Sequence, residues 1–167
     1  MESQRRAFTR WSKEQTATVA LVLVAGPDEA LLEGISQTLT GAGYRVLVAS
    51  DIPQALDALG SDRPLLAVVH RDELVRNAAG LRIPLAPGGA LLSFETEDTI
   101  EAHLPFVLKR ATLAELRLPL ERYRLLALLR HVETRARITG RDPDNAEPTE
   151  PQRQQRSTRR DEGFDLL

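Results

Sequence analysis

Residues 19–59 read VALVLVAGPDEALLEGISQTLTGAGYRVLVASDIPQALDAL, and this stretch decides the fold. It opens with Val19–Ala25, a continuous apolar run that is typical of a strand buried on both faces of a parallel sheet. Gly26 and Pro27 end the run, and apolar side chains then recur at the spacing of an amphipathic helix. The same pattern repeats at once in RVLVASDIPQALDAL. Two consecutive strand–helix units predict parallel strands joined by helical crossovers.

The alternation continues through the middle of the chain. Leu65–Val69 and Ala90–Phe94 are the predicted third and fourth strands, and Asp72–Ala79 between them is a short predicted helix. Phe106–Leu108 is the predicted fifth strand. We therefore predict an α/β fold with a three-layer, doubly wound, five-stranded parallel sheet. Its third and fourth helices are shortened and its last helix is extended.

The start of the last helix is predicted from a local signal. Residues 112–115, TLAE, match a capping box, in which the threonine hydroxyl and the glutamate satisfy backbone amides of the first turn. Pro119 would then kink that helix, because proline removes an amide donor. The following ERYRLLALLRHVETRAR is strongly amphipathic, with basic residues toward its carboxyl end.

Composition limits the classes of function. The 167 residues contain no cysteine, 4% aromatic residues and a net charge of −2, which disfavour thiolate chemistry, a base-stacking platform and general nucleic-acid binding. We predict a flexible basic tail over residues 1–17, one domain over 18–137, and a disordered polar tail over 138–167. The basic start of the chain lacks an apolar core of signal-peptide length, so a cytoplasmic location is the default expectation.

The two apolar patterns together support a family resemblance. The stretch VLVAGPDEALLEGISQTLTGAGYRVLVASDIPQALDAL and the later FVLKRATLAEL resemble a bacterial response-regulator receiver domain, over roughly residues 18–130. The resemblance implies a flavodoxin-like order of strands. It also implies an aspartate at the end of strand three that accepts a phosphoryl group, beside an acidic pair that holds Mg²⁺.

The residues at the phosphorylation positions depart from that pattern. The acidic pair falls on Gly26 and Pro27, which have no side-chain oxygen, and Asp28 follows as a single carboxylate. The phosphoacceptor position falls on His70, whose imidazole cannot form an acyl phosphate. A residue at this place is most simply a polar side chain at a strand end. Its alternatives are a phosphohistidine or a pH sensor.

Two positions that read the phosphoryl group in the family match better. The switch serine or threonine falls on Ser93, and the conserved lysine of the family pattern falls on Lys109, followed by Arg110 instead of proline. An alternative alignment sets Leu118-Pro119 as the Lys-Pro pair. We prefer Lys109, because the capping box lies where the last helix should begin.

The resemblance implies a degenerate receiver, or pseudo-receiver, that is not an enzyme. The first hypothesis is a phosphorylation-independent signalling module that binds a protein partner, or a second copy, through strand four, strand five and the last helix. The apolar ending of the C-terminal tail is a candidate docking motif. The predicted interaction surface comprises Tyr123, Leu126, Leu129, Val132, Phe164, Leu166 and Leu167.

Two other hypotheses remain open. One is a phospho-accepting regulator with shifted acids, using Asp28 and Asp72, and the other is a DNA-associated regulator, which the absence of a second folded domain disfavours. We predict no cofactor and no metal site, because His70, His103 and His131 lie on different predicted elements without ligand spacing. No membrane contact is expected.

Overall fold

The computed structural model describes residues 19–139, which fold around one parallel sheet. Its five strands lie in the order β2-β1-β3-β4-β5, and every neighbouring pair is parallel. The predicted five-stranded α/β architecture is confirmed. In chain order the elements are β1 (Leu21–Ala25), α1 (Glu29–Gly41), β2 (Arg45–Ala49), α2 (Ile52–Leu59), β3 (Leu66–His70), α3 (Arg71–Arg76), β4 (Ala90–Glu95), α4 (Phe106–Ala111), β5 (Thr112–Arg117) and α5 (Arg122–Thr139).

Helices cover both faces of the sheet and divide the core in two. On one face α1 and α5 pack against alternate strand residues, with Leu39 and Leu129 fully buried. On the other face α2, α3 and α4 pack against the intervening residues, with Leu74 fully buried. β1 and β3 are buried along their whole length, which explains their unbroken apolar sequences.

Two aspartates set the starts of the first helices. Asp28 accepts a hydrogen bond from the Leu31 amide at 3.0 Å, and Asp51 accepts one from the Gln54 amide at 2.8 Å. These bonds satisfy amides that have no partner within the helix. Asp28 is thus the N-cap of α1 and Asp51 the N-cap of α2.

The predicted fifth strand and the predicted capping box are both wrong. Residues 106–108 belong to α4, and Thr112–Arg117 is β5, which pairs with β4 from Leu91↔Thr112 to Glu95↔Arg117. The Thr112 hydroxyl donates to the Leu108 carbonyl at 2.7 Å instead of capping a helix. Pairing with β4 along the strand outweighs a four-residue local signal, since tertiary hydrogen bonds and packing override local preferences.

The last helix begins later than predicted and continues further. Pro119 lies before α5 and does not kink it, because the helix begins at Arg122. The Leu118–Pro119 peptide bond is cis. The helix is 18 residues long and includes Ile138 and Thr139, beyond the predicted domain end at 137. The shortened third and fourth helices, six residues each, are confirmed, as is the extended last helix.

Candidate functional site

The candidate site lies where β1, β3 and β4 end at the same edge of the sheet. In open α/β sheets this carboxyl edge is where ligands bind, at the place where the strand order reverses. Here that place lies between β1 and β3, because β2 follows β1 on one side and β3 lies on the other. The residues that follow these strands therefore determine what the site can do.

Gly26, which follows β1, leaves room for two buried side chains. A Cβ atom at this position would lie 3.1 Å from His70 Cβ and 3.1 Å from Phe94 Cζ. The space that a side chain at Gly26 would need is therefore already filled. Pro27 is exposed and has no side-chain oxygen. The next residue, Asp28, uses its carboxylate to cap α1. The residues at this position do not fit Mg²⁺.

His70 ends β3 as predicted and is a buried, neutral side chain. Only 2% of its surface is exposed, and its ring packs edge-on against Phe94 with centroids 5.2 Å apart. Nδ1 accepts a hydrogen bond from the Asp72 amide at 3.2 Å, so the neutral ring carries its proton on Nε2. Nε2 then donates to Thr99 Oγ1 at 3.1 Å. Burial lowers the pKa of His70 below 6.5 and outweighs the opposing attraction of Asp72.

Ser93 does not occupy the switch position at the end of β4. It lies inside the strand, opposite Val69 in β3, and its fully buried hydroxyl has no hydrogen-bond partner among the described residues. Side chains alternate along a strand, so Ser93 and Phe94 lie on opposite faces of the sheet. The hydroxyl that contacts the end of β3 belongs to Thr99, in the loop after β4, which the sequence analysis did not identify.

Lys109 is also misplaced by the sequence analysis. It lies on α4 and is exposed, whereas the residue that follows β5 is Leu118, which is 2% exposed. The alternative alignment on Leu118-Pro119 therefore describes the position after β5. An apolar leucine there cannot neutralise the charge of a transferred phosphoryl group. The error follows directly from the misassigned fifth strand.

The loop after β4 is fastened to the start of α3 by Asp72. Its carboxylate accepts hydrogen bonds from the Ile100 amide at 3.1 Å and the Glu101 amide at 2.9 Å. Burial alone would raise the pKa of Asp72, but these two backbone hydrogen bonds, together with the charges of His70 and Arg76, hold the pKa below its ordinary value. Asp72 is therefore an ionised structural anchor.

Arg71 is the central cation of this edge, and the sequence analysis missed it. Its Nη1 lies 2.6 Å from Glu95 Oε2, and its Nη2 lies 3.2 Å from Glu115 Oε2. Nη1 also donates to the carbonyls of Glu101 and Ala102, both at 3.1 Å. Arg71 thus joins β4, β5 and the loop, although its Nε has no partner within the described residues.

Glu95 is shared between two arginines. Arg117 Nη2 lies 3.0 Å from Glu95 Oε1, whereas Arg71 contacts Glu95 Oε2. Burial alone would raise the pKa of Glu95, but the hydrogen bonds and charges of Arg117 and Arg71 outweigh it and lower the pKa. Both guanidinium groups are therefore already committed to carboxylates.

A cleft of about 910 Å³ lies above this network. Asp28, Glu97, Asp98 and Glu101 contribute carboxylates to its walls, and Arg71 and Arg117 contribute the cations. Carboxylates outnumber cations, so the cleft repels a phosphoryl group more than it attracts one. No cluster of three or more metal-ligating side chains occurs within residues 19–139.

The predicted interaction surface on the last helix is largely core. Leu129 is fully buried and Val132 is 3% exposed, so neither is available to a partner, and Leu126 is partly buried against the same core. These residues face the sheet because α5 packs along its length on one face. Tyr123 is 70% exposed. Phe164, Leu166 and Leu167 lie outside the described residues.

Three exposed apolar side chains lie instead on α4 and on the edge strand β5. Phe106 and Val107 on α4 are 72% and 77% exposed, and Leu113 on β5 is 42% exposed. The Arg110 guanidinium lies over the Phe106 ring, 5.7 Å from its centroid. We refer to Phe106, Val107, Lys109, Arg110 and Leu113 as the α4–β5 surface. Among the described helices, none is long and apolar enough to cross a membrane.

The close contact at Gly26 allows a direct test of how full the site is. We expect Gly26→Ala to lower the free energy of unfolding by about 1–3 kcal/mol, since His70 and Phe94 must move to admit a methyl group. Gly34→Ala is the matched control. Nothing lies within 4 Å of its added carbon, and alanine favours the helix by about 0.5–1 kcal/mol. If Gly26→Ala and Gly34→Ala changed the free energy of unfolding equally in urea denaturation, the space beside Gly26 would not be filled as described.

Comparison with known proteins gives a result for the fold alone. No protein-family model matches the chain, and no curated protein matches it. Solved structures of response-regulator receiver domains do match. A receiver domain protein described as CheY-like, from Methanospirillum hungatei JF-1, has a TM-score of 0.56 at 22% identity, and the match covers 72% of this chain and 99% of that chain.

Two other solved structures also match the fold. A receiver domain protein from Clostridium thermocellum has a TM-score of 0.55 at 16% identity, covering 72% of this chain and 99% of that one. A structure described as a receiver-modulated diguanylate cyclase from Pelobacter carbinolicus has a TM-score of 0.56 at 13% identity, covering 73% and 98%. The described residues therefore have the fold of receiver domains, as the sequence resemblance predicted.

Proposed function

We propose that this chain is a non-enzymatic receiver-fold module of two-component signalling, located in the cytoplasm, that binds a protein partner without being phosphorylated. The observation that carries the proposal is the filled end of β3. His70 replaces the acceptor carboxylate, and Phe94 occupies the space beside Gly26. A receiver phosphorylated on aspartate needs a carboxylate nucleophile and a hard cation there, and these residues supply neither.

The shifted-acid alternative receives no support from the geometry. Asp28 Oδ1 accepts the Leu31 amide, and both oxygens of Asp72 accept amides of the loop after β4. A carboxylate that is engaged by backbone donors is a weaker nucleophile, because those bonds stabilise its ground state. Phosphorylation at either position would also break the local structure that the carboxylate holds.

The test of this part is intact-mass analysis of the full chain after incubation with acetyl phosphate and Mg²⁺. We expect no mass increase of one phosphoryl group. A stoichiometric increase that disappears in Asp72→Asn or Asp28→Asn would replace the proposal with the shifted-acid regulator. An increase lost in His70→Gln would identify a phosphohistidine instead.

The α4–β5 surface is the proposed binding surface. Its apolar side chains are exposed, β5 is an edge strand of the described sheet, and Lys109 and Arg110 add positive charge. Apolar groups beside cations suit an acidic segment with aromatic or aliphatic anchors. Residues 161–167 of this chain, DEGFDLL, have that chemistry. We commit to this segment as the occupant, from the same chain or from a second copy.

The test compares amide NMR spectra of the full chain with those of a synthetic DEGFDLL peptide. In wild type, the signals of residues 164–167 are expected to differ from those of the peptide. Val107→Glu should move the signals of residues 164–167 to the peptide values. The bound segment would cover the new carboxylate, and its own acidic side chains would repel that carboxylate. Val48→Glu is the control, because Val48 is also exposed but lies on β2, at the opposite edge.

Two outcomes would contradict this assignment. Wild-type signals that already match those of the peptide would show that the segment is not bound. An equal effect of both substitutions would show that the site is not the α4–β5 surface. A dependence of the shifts on protein concentration would assign the segment to a second copy.

A further inference from the structure

The hydrogen bonds around His70 connect the end of β3 to the loop that leads into α4. The ring bonds to Thr99 through Nε2, and Thr99 Oγ1 also accepts the Thr96 amide at 2.7 Å. Asp72, two residues after His70, accepts hydrogen bonds from the amides of Ile100 and Glu101. The loop of residues 96–105 is thus fastened to the β3–α3 junction immediately before α4 begins.

This arrangement holds only while His70 is neutral. Its Nδ1 accepts the Asp72 amide, so a proton on Nδ1 would place two N–H donors against each other at 3.2 Å. The Asp72 carboxylate is an acceptor within reach of the new N–H, because its Oδ2 lies 3.9 Å from Nδ1. That same oxygen accepts the Ile100 amide at 3.1 Å. An imidazolium would therefore compete with the loop for Asp72.

We propose that protonation of His70 is the input of this module, which draws Asp72 away from the loop after β4 and thereby repositions the α4–β5 surface. The inference rests on the proposed function, because it assigns a regulator to the same binding surface. A proton takes the place of the phosphoryl group that this site cannot accept.

The charges that act on His70 come from α3. Asp72 and Glu73 favour the protonated ring, and Arg71 and Arg76 oppose it. The neighbours from the other elements carry no charge. They are Gly26 after β1, Phe94 on β4 and Thr99 in the loop. Burial is therefore the largest influence on the pKa of His70.

The sign of the pH dependence follows from that burial. We call the arrangement with Asp72 bound to the loop the closed state, and the arrangement without those bonds the released state. In the closed state, burial makes His70 bind a proton less tightly than an exposed imidazole of pKa 6.5. The closed state therefore loses stability as the pH falls below 6.5. The loss is complete below the lowered pKa of the closed state. Each unit by which the pKa is higher in the released state favours release by about tenfold.

The experiment follows histidine ring signals and amide hydrogen exchange of the full chain by NMR from pH 8 to pH 5.5. As the His70 ring becomes protonated, we expect exchange at Ile100 and Glu101 to accelerate by about tenfold or more after correction for intrinsic exchange rates. His70→Gln, which keeps an acceptor and a donor, should abolish the change. His103→Gln is the matched control, because His103 is exposed and lies in the same loop.

A second variant keeps the test decisive if His70→Gln does not fold. Asp72→Asn removes a charge that favours the protonated ring, so the midpoint should move to lower pH. Three results would overturn the inference: loop amides that respond equally in His70→Gln, a midpoint unmoved in Asp72→Asn, or core amides of β1 and β3 that open together with the loop. If the pH response of the loop is overturned, the proposed function is still tested separately, because the phosphorylation test follows a different reaction at a fixed pH.

Discussion

Leu129→Ala is expected to lower the free energy of unfolding by about 2–5 kcal/mol, the range for removing a buried leucine from a core that only partly collapses. Leu129 is fully buried where α5 packs on the sheet, in the same cluster as Leu39 and Phe94. The effect should appear as a lower midpoint in urea denaturation with an unchanged slope.

The control for this prediction is a residue on the same helix. Tyr123 is 70% exposed, so Tyr123→Ala should change the free energy of unfolding by no more than about 0.5 kcal/mol. If Leu129→Ala is as mild as Tyr123→Ala, then α5 does not pack on the sheet as described. Its leucines would then be available to a partner, as the sequence analysis proposed.

Arg71→Ala is expected to cost about 3 kcal/mol of unfolding free energy, near the lower end of the range for breaking a buried ion pair. Its side chain is 9% exposed, whereas its partners Glu95 and Glu115 are 23% and 35% exposed, so water screens part of the loss. The substitution also removes the donor to the carbonyls of Glu101 and Ala102. The loop after β4 should therefore lose protection from hydrogen exchange before the core does.

Arg124→Ala is the matched control for Arg71→Ala. Arg124 pairs with Glu121 at 2.9 Å, but its side chain is 53% exposed. Exposed ion pairs contribute between 0 and about 1 kcal/mol. Arg71→Lys should recover little of the unfolding free energy that Arg71→Ala loses, because lysine cannot reproduce the planar set of donors of the guanidinium group. Equal losses for the two alanine variants would show that Arg71 is no more than a surface cation.

The sheet was predictable from β1, β2 and β3, and the last strand was not. Val19–Ala25 and Leu65–Val69 are continuous apolar runs of strand length, a pattern that is typical of strands covered on both faces. Residues 106–117, in contrast, contain a short apolar run and a local capping signal. Both are ambiguous at this length, and pairing with β4 decides between them.

The candidate site was predictable only where it depends on strand ends. His70 follows an unambiguous strand, so its place at the end of β3 could be predicted. Arg71 and Thr99 could not be recognised, because their partners lie about 30 residues away along the chain. The assignment of Lys109 inherited the error in the fifth strand. The apolar stripe of α5 was visible in the sequence, but only packing shows that the sheet covers it.

The central claim is that the end of β3 does not accept a phosphoryl group, and beryllofluoride with Mg²⁺ tests it most directly as a phosphoryl-aspartate mimic. Amide NMR shifts would be followed during a titration of the full chain at constant pH. We predict no saturable shifts at His70, Asp72, Thr99 or the other residues of the carboxyl edge. Saturable shifts centred on the end of β3 would contradict the account and show that the site binds a phosphoryl group.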